Sequence, residues 1–399
     1  MSWAFIAEHC SALRILAARQ FSSDPGQRSA LDGDEPDSDS SRINTIPMNS
    51  PCFIRPAAVA LASVVLFTAG CQHTMLQPPP AEIRAHGGET FGTLEVNDPK
   101  FFTLIELTAP LQKLASGFDW SEGPVWIKKG GYLLFSDVPK NTVYHWKEGR
   151  GVNVYLQPSG YTGAEPRGGE PGSNGLTTDA QGRLVLCEHG DRRVGRVEKR
   201  GRHITLADRY NGRRFNSPND LAYKSNGDLY FTDPPYGLEK NVNDPKKELA
   251  FQGVYRLSSK GEVTLLTDQM TRPNGIAFSP DEKTLYVANS DSKKAVWMAY
   301  DVKADGTIGN GRVFFDSTPM VAAGKKGLPD GLKVDAAGNL FATGPGGVLV
   351  FSPDGKHLGT INTGEATANV GWGDDGSVLY ITADMYLCRI KTRTRGDRF

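Results

Sequence analysis

The chain has 399 residues, and its 45 lysines and arginines balance 45 aspartates and glutamates to a formal net charge of zero. No basic block stands out, which argues against a nucleic-acid partner and favours a neutral small molecule as the ligand. The five cysteines have no zinc-type spacing, so they predict neither a disulfide framework nor a cysteine-rich metal site.

The first 71 residues differ in composition from the rest of the chain. Residues 1–47 are rich in Asp and Ser in their second half, which predicts a disordered or untranslated leader. From Met48 the chain resembles an exported precursor, because an apolar run at 57–69 precedes Gly70 and Cys71. We expect residues 48–71 to be a signal peptide whose lipobox-like end allows lipidation of Cys71, with either Met1 or Met48 as the start of translation.

Export would make the protein periplasmic or a membrane-anchored lipoprotein. A membrane contact is expected only through the N-terminal lipid anchor, with an uncleaved hydrophobic anchor or a secreted form as alternatives. Residues 72–94 include Gln77–Pro80, which predicts a stiff, extended linker. The sequence leaves the oligomeric state open.

A short apolar segment, Phe101–Leu107, precedes the first of several repeats. Its β-forming residues predict a strand that closes a ring by pairing with the region of Cys388, because an open ring would expose strand edges. Cys187 and Cys388 are expected to be buried apolar residues rather than reactive thiols.

One pattern recurs six times along residues 95–399. An oxygen-bearing side chain leads into a short apolar strand, then a turn, then a second strand; in one copy Asn274 opens the first strand and Leu285–Asn289 forms the second. A period of roughly 40 to 50 residues built from short strands is typical of a β-propeller with four strands per blade. The sequence therefore predicts an all-β, six-bladed β-propeller of four-stranded antiparallel blades.

The leading residues of the six copies share side-chain oxygens: they are Glu122, Asn174, Asn219, Asn274, Asp330 and Asn369. In a propeller the innermost strands line a central channel, so equivalent positions meet around one axis. The alternative is that Asn-Gly and Asp-Gly simply mark turns. That alternative explains Glu122 and Asn369 poorly, which favours a shared polar centre.

Four of these side chains suit a central divalent metal site. Glu122 and Asp330 carry a formal charge of −2, and Asn219 and Asn274 add amide carbonyls. Hard oxygen donors favour Ca²⁺, with Mg²⁺ or Mn²⁺, and less readily Zn²⁺, as substitutes. A ring of polar side chains hydrogen-bonded to water is the alternative.

The chain from about residue 110 to 390 resembles the calcium-dependent gluconolactonase, SMP-30 and luciferin-regenerating-enzyme family, especially its exported bacterial gluconolactonases. The resemblance lies in the order and spacing of short motifs: Ser121–Trp126, Gly172–Leu176, Cys187–Gly190, Ser217–Asp220, Phe231–Pro234, Arg272–Gly275 and Pro329–Gly331. It implies metal ligands at Glu122, Asn274 and Asp330, with Asn219 between metal and substrate.

The resemblance also implies hydrolysis of a sugar-acid lactone such as D-glucono-1,5-lactone, with Asp330 as the base that activates water. His189 is the rival base, since its ordinary pKa suits proton transfer, although it also fits a plain loop. Asn174, Asn219, Arg192 and Tyr236, together with Arg193, are candidates for binding the substrate hydroxyls.

Two other functions remain open from the sequence. One is a different lactonase, esterase or phosphotriesterase that uses the same calcium site. The other is a non-catalytic propeller that binds a ligand around the same ion, because a fold does not determine a function.

Overall fold

The computed structural model describes residues 76–399. The leader, the signal peptide, Cys71 and the first residues of the linker lie outside the described residues. Within 76–399, no helix has the length and apolar character needed to cross a membrane.

Four short elements precede the first blade: β1 (Arg84–Thr90), β2 (Thr93–Val96), helix α1 (Phe101–Leu104) and β3 (Gln112–Ser116). Blade 1 contains β4 (Ser121–Ile127), β5 (Tyr132–Asp137), β6 (Thr142–Lys147) and β7 (Gly151–Leu156). Blade 2 contains β8 (Ser173–Thr178), β9 (Leu184–Glu188), β10 (Arg193–Val197) and β11 (His203–Ala207). A small ladder of β12 (Arg209–Tyr210) and β13 (Arg213–Arg214) follows.

Blade 3 contains β14 (Leu221–Tyr223), β15 (Leu229–Asp233), β16 (Gly253–Leu257) and β17 (Val263–Thr267). Blade 4 contains β18 (Pro273–Phe278), β19 (Thr284–Asn289), β20 (Val296–Val302) and β21 (Ile308–Asp316). Blade 5 contains β22 (Leu332–Val334), β23 (Leu340–Gly344), β24 (Gly347–Phe351) and β25 (His357–Asn362). Blade 6 contains β26 (Thr367–Gly373), β27 (Val378–Ala383) and β28 (Tyr386–Lys391), completed by β3. The remaining helices are α2 (Thr318–Ala322) and the 3₁₀ turns Lys199–Gly201 and Asn241–Asn243.

The six predicted repeats are the six blades, and all strand pairs within them are antiparallel. The core is divided in the same way. Six buried apolar clusters lie between successive blades, such as that of Leu134 and Leu186 between blades 1 and 2. Each blade therefore buries both faces against its neighbours, which fixes where its inner strand begins.

The ring closes through a different segment from the one predicted. Residues Phe101–Leu104 form helix α1 rather than a strand, and β3 pairs with β28 so that Lys113 faces Cys388. The apolar spacing explains the error, because Phe101, Leu104 and Ile105 are buried while Phe102 is exposed, which is a helical period. A closing strand exists as predicted, but it is Gln112–Ser116 and not Phe101–Leu107.

The segment assigned to the linker also contributes strands. β1 adds a fifth strand to blade 6 by pairing with β3, and β2 adds a fifth strand to blade 5 by pairing with β25. The sheets of the propeller therefore begin before residue 95, inside the segment that the Pro-rich composition assigned to an extended spacer.

Candidate functional site

The inner strands of neighbouring blades are tied together by hydroxyl groups. Ser136 donates to the carbonyl of Asn174 at 2.9 Å, and Thr232 donates to the carbonyl of Asn274 at 2.7 Å. Thr343 donates in the same way to Ala368 at 2.8 Å. In each case the second strand of one blade holds the start of the first strand of the next blade, which places the leading side chains around the axis.

The glycines that follow the leading residues permit this close approach. A Cβ at Gly175 would lie 2.7 Å from the carbonyl oxygen of Asn219, and one at Gly275 would lie 2.2 Å from that of Asp330. Neither glycine has a positive φ. The turn interpretation is therefore wrong at these positions, since both glycines lie on inner strands where backbones nearly touch.

Glu122 opens blade 1 and is 2% exposed. Its Oε2 atom accepts hydrogen bonds from the backbone N–H of Gly123 at 2.9 Å and from Nδ2 of Asn369 at 3.2 Å. Burial raises the pKa of Glu122, and the nearby carboxylates of Asp220 and Glu170 add to the rise. Asn369, whose role the sequence left doubtful, thus lies at the centre and holds Glu122.

Asp330 opens blade 5, and its backbone N–H donates to the carbonyl of Thr343 at 2.9 Å. The residue is half-buried, but its Oδ1 atom is buried and has no hydrogen-bond partner among residues 76–399. Burial raises the pKa of Asp330 strongly, and the charge of Glu122 raises it further, whereas the amide of Asn274 opposes the rise. Glu122 and Asn274 therefore both lie close enough to Asp330 to affect its pKa, and the role of the three residues as metal ligands stays a prediction.

Asn219 opens blade 3 and is 1% exposed. Its Oδ1 atom is buried without a partner among the described residues, while its Nδ2 atom lies 3.5 Å from Nε2 of His189. His189 is fully buried directly after β9, and its Nδ1 atom lies 3.2 Å from Oε2 of Glu170. The structure thus places Asn219 next to His189. It also places Glu170, which the sequence reasoning missed, on the other side of His189.

Asp220 and Lys333 are two further charged residues of the centre that sequence reasoning missed. Asp220 is 1% exposed, and its Oδ2 atom has no hydrogen-bond partner among residues 76–399. Nζ of Lys333 lies 4.0 Å from that atom. Burial raises the pKa of Asp220, and Lys333 opposes the rise. The position of Asp220 directly after Asn219 in an inner-strand motif was the signal that could have found it.

The candidate substrate-binding residues have different surroundings. Tyr236 is half-buried, its hydroxyl lies 3.3 Å from the carbonyl of Ser290, and the guanidinium of Arg272 lies 5.6 Å from its ring centroid. Burial raises the pKa of Tyr236 to about 12, and the charge of Asp330 adds to that rise. Asn174 is buried at the start of β8.

Arg192 connects blade 2 to the loop that follows. Its guanidinium donates to the backbone carbonyls of Phe215 at 2.7 Å and Lys246 at 2.8 Å. Arg193 forms a 2.6 Å ion pair with buried Glu188. These contacts give both arginines a structural role, and their assignment to the substrate stays a prediction.

The centre has the donors that a hard divalent cation requires. Its oxygens come from carboxylates and amides, and three of them, Asp330 Oδ1, Asn219 Oδ1 and Asp220 Oδ2, are buried with no partner among the described residues. Buried polar atoms without partners are rare in folded proteins, and an ion or water explains them. Residues 76–399 contain no group of three or more His, Cys, Asp or Glu arranged to hold a metal, in keeping with a site that mixes carboxylates with amides.

The fold and the site together define a six-bladed β-propeller with acidic and amide side chains at its axis. Residues 120–384 match the model of the SMP-30/gluconolactonase/LRE-like region, so the chain belongs to this family. The predicted resemblance is confirmed.

Particular relatives agree with this assignment. The gluconolactonase of Zymomonas mobilis is 40% identical over 321 residues, covering 77% of this chain and 88% of the relative. A gluconolactonase structure from Xanthomonas campestris is 33% identical with a TM-score of 0.67, covering 77% of this chain and 98% of that one. The calcium-binding protein regucalcin from Agrobacterium tumefaciens is 21% identical with a TM-score of 0.56, covering 70% and 93%, and this likeness concerns the fold alone.

Proposed function

We propose that this protein is a lactone hydrolase that converts a sugar-acid lactone, of the D-glucono-1,5-lactone type, to the aldonic acid with the help of a divalent cation. The gluconolactonase relatives support the reaction. The observation that carries the cation is the pair of buried oxygens without partners, Asp330 Oδ1 and Asn219 Oδ1.

The cation would be held by Glu122, Asn219, Asn274 and Asp330. Ca²⁺ is our preferred ion because the donors are all oxygen atoms from separate loops, and Mg²⁺, Mn²⁺ or Zn²⁺ are substitutes. Such an ion supplies Lewis-acid polarisation of an ester carbonyl. Such an ion would also offset the charge of Asp220 that acts on Glu122, which Lys333, 4.0 Å from Asp220, opposes among residues 76–399.

Asp330 is our choice for the base that removes a proton from water. As a residue Asp330 is half-buried, although its Oδ1 atom is buried, whereas Glu122 and Asp220 are almost inaccessible. Burial and neighbouring negative charge raise its pKa in the absence of the cation, and a bound cation would lower that pKa again. His189 is fully buried between Glu170 and Asn219, which favours a positioning role.

Tyr236, whose pKa responds to the charge of Asp330, and Arg272, which lies over its ring, are our candidates for contacting the lactone. Tyr236 keeps its proton at neutral pH, because burial raises its pKa to about 12, so its hydroxyl can donate a hydrogen bond to a substrate oxygen. The guanidinium of Arg272 over the tyrosine ring limits the movement of both side chains.

The test is a pH-stat panel of D-glucono-1,5-lactone, an uncharged aliphatic lactone, an aryl ester and a phosphotriester, each with calcium and with chelator. We expect acid release from the sugar lactone with calcium, and a large loss in chelator that returned calcium reverses. Equal rates with and without chelator would refute the role of the cation. Hydrolysis of the phosphotriester or aryl ester alone would refute the substrate class.

A further inference from the structure

Three polar side chains form a line from the loop between blades 1 and 2 to the centre. Oε2 of Glu170 lies 3.2 Å from Nδ1 of His189, a close contact without hydrogen-bond geometry, since Nδ1 has no hydrogen-bond partner among residues 76–399. Nε2 of His189 lies 3.5 Å from Nδ2 of Asn219. The line ends at Oδ1 of Asn219, which is buried and has no partner among residues 76–399.

The imidazole of His189 is confined on several sides. A Cβ at Gly237 would lie 2.5 Å from Cβ of His189, so this glycine lets a neighbouring loop pack directly against the histidine. Arg167 holds the two flanking loops by donating to the carbonyl of Gly190 at 3.0 Å and to that of Gly237. The side chain of His189 is fully buried. The ring is therefore fixed in place, and only the position of its proton remains to be set.

The hydrogen-bonding chemistry sets that position. A carboxylate oxygen is a hydrogen-bond acceptor, so the closeness of Glu170 favours the tautomer with the proton on Nδ1 of His189. Nε2 then carries a lone pair, and the matching group of the Asn219 amide is its NH₂. This order leaves the carbonyl oxygen of Asn219 as the atom that faces away from His189.

We propose that Glu170 and His189 are positioning residues that orient the amide of Asn219, so that its carbonyl oxygen rather than its NH₂ group is presented to the hard cation. The inference rests on the proposed function, because it concerns a ligand of the proposed cation. At metal centres, residues that contact a ligand without contacting the metal orient the ligand atoms. It also gives His189 a task that excludes it as the general base.

The test compares Glu170→Ala with Glu170→Gln by calorimetric titration of Ca²⁺. Both variants lose the negative charge, but the glutamine keeps a carbonyl oxygen that accepts from Nδ1 of His189. We expect Glu170→Ala to bind Ca²⁺ about 10-fold more weakly than Glu170→Gln, the lower end of the effect of such partners on metal affinity. Glu165→Ala, an exposed glutamate of the same loop, is the matched control and should bind like the wild type.

A second pair of variants keeps the test decisive if Glu170→Ala does not fold. In His189→Gln the new side chain can accept from Asn219 and donate to Glu170, whereas His189→Leu can do neither. We expect His189→Gln to bind Ca²⁺ more tightly than His189→Leu, with melting temperatures in chelator measured beside the affinities. Equal affinities within either pair would refute the proposal.

A readout independent of the cation is the tautomer of His189 by ¹⁵N NMR. We expect the proton on Nδ1 in the wild type and in Glu170→Gln, and on Nε2 in a substantial population of Glu170→Ala. A wild-type imidazole protonated on Nε2 alone would overturn the inference. A wild-type protein that binds no divalent cation would instead refute the proposed function, so the two failures are distinguishable.

Discussion

Replacing Glu122 by glutamine separates a cation ligand from a purely structural residue. The side chain is 2% exposed and accepts from Gly123 and Asn369, so a structural role alone would make Glu122→Gln less stable under all conditions. If Glu122 is a cation ligand, Glu122→Gln should instead be no less stable than the wild type when chelator is present. Burial raises the pKa of Glu122 to about 8, so without the cation folding requires this carboxyl group either to take up a proton or to be buried with its charge. The glutamine removes that cost, and the cation-free protein should be at least as stable as the wild type.

The magnitude follows from mass action. An ion at 100 times its Kd stabilises the folded protein by about 2.7 kcal/mol. For a domain of this size that corresponds to a rise in melting temperature of about 4 °C. Ligand charge tunes calcium affinity over orders of magnitude, so the loss of one of two charged ligands should weaken binding about 100-fold, and Asn274→Ala about 10-fold. The calcium-dependent rise should therefore nearly vanish in Glu122→Gln.

Scanning calorimetry with calcium and with chelator, beside calcium titration, provides the measurement. Asp330→Asn should lose the calcium-dependent rise as well, and its lactone hydrolysis should stay low even at saturating calcium if Asp330 is also the base. Glu165→Gln is the matched surface control. An undiminished calcium-dependent rise in Glu122→Gln would refute the ligand assignment, and full activity of calcium-saturated Asp330→Asn would refute Asp330 as the base.

Three further predictions follow from other parts of the chain. Gly331→Ala places a Cβ 2.0 Å from Cγ of Asn369, so denaturant unfolding should show a loss of about 1–3 kcal/mol, whereas Gly168→Ala, which meets no atom within 4 Å, should show none. Burial raises the pKa of Asp137 from 3.8 to about 6. The folded protein therefore binds more protons than the unfolded chain in this window, and stability should fall by up to about 3 kcal/mol as pH rises from about 4 to about 6. Asp137→Asn should flatten that dependence, and an unchanged slope would contradict the assignment. Cys71→Ser should release the protein from the membrane fraction with unchanged specific activity, whereas retention would indicate an uncleaved anchor.

The blade count and the polar axis could be predicted from the sequence because both are local and repeated. Each repeat contains its own strands and turn, and each leads with an oxygen-bearing residue, such as Asn174 or Asn274. Cys187 and Cys388 were likewise predicted to be buried, and both are free and buried. Because such features are repeated, they can be recognised in the sequence without knowledge of long-range contacts.

The closing strand was misplaced because composition favours the more apolar of two neighbouring segments. Phe101–Leu107 is more apolar than Gln112–Ser116, yet its burial follows a helical period, and only packing against blades 5 and 6 decides this. The strands β1 and β2 were missed because edge strands have short and mixed patterns, and their pairing partners lie far along the chain.

The same distinction between local patterns and long-range contacts applies to the site. The sequence by itself determined which oxygen-bearing residues open the blades, since their spacing follows the repeat that builds the ring. Only the tertiary structure decided that Glu170, from a loop outside the repeat, contacts His189, and that Asp220 and Lys333 lie opposite each other across two blades. The physical reason is that the ring brings together residues that are distant in the chain, and the electrostatics of a buried centre depend on distances and burial that no local pattern encodes.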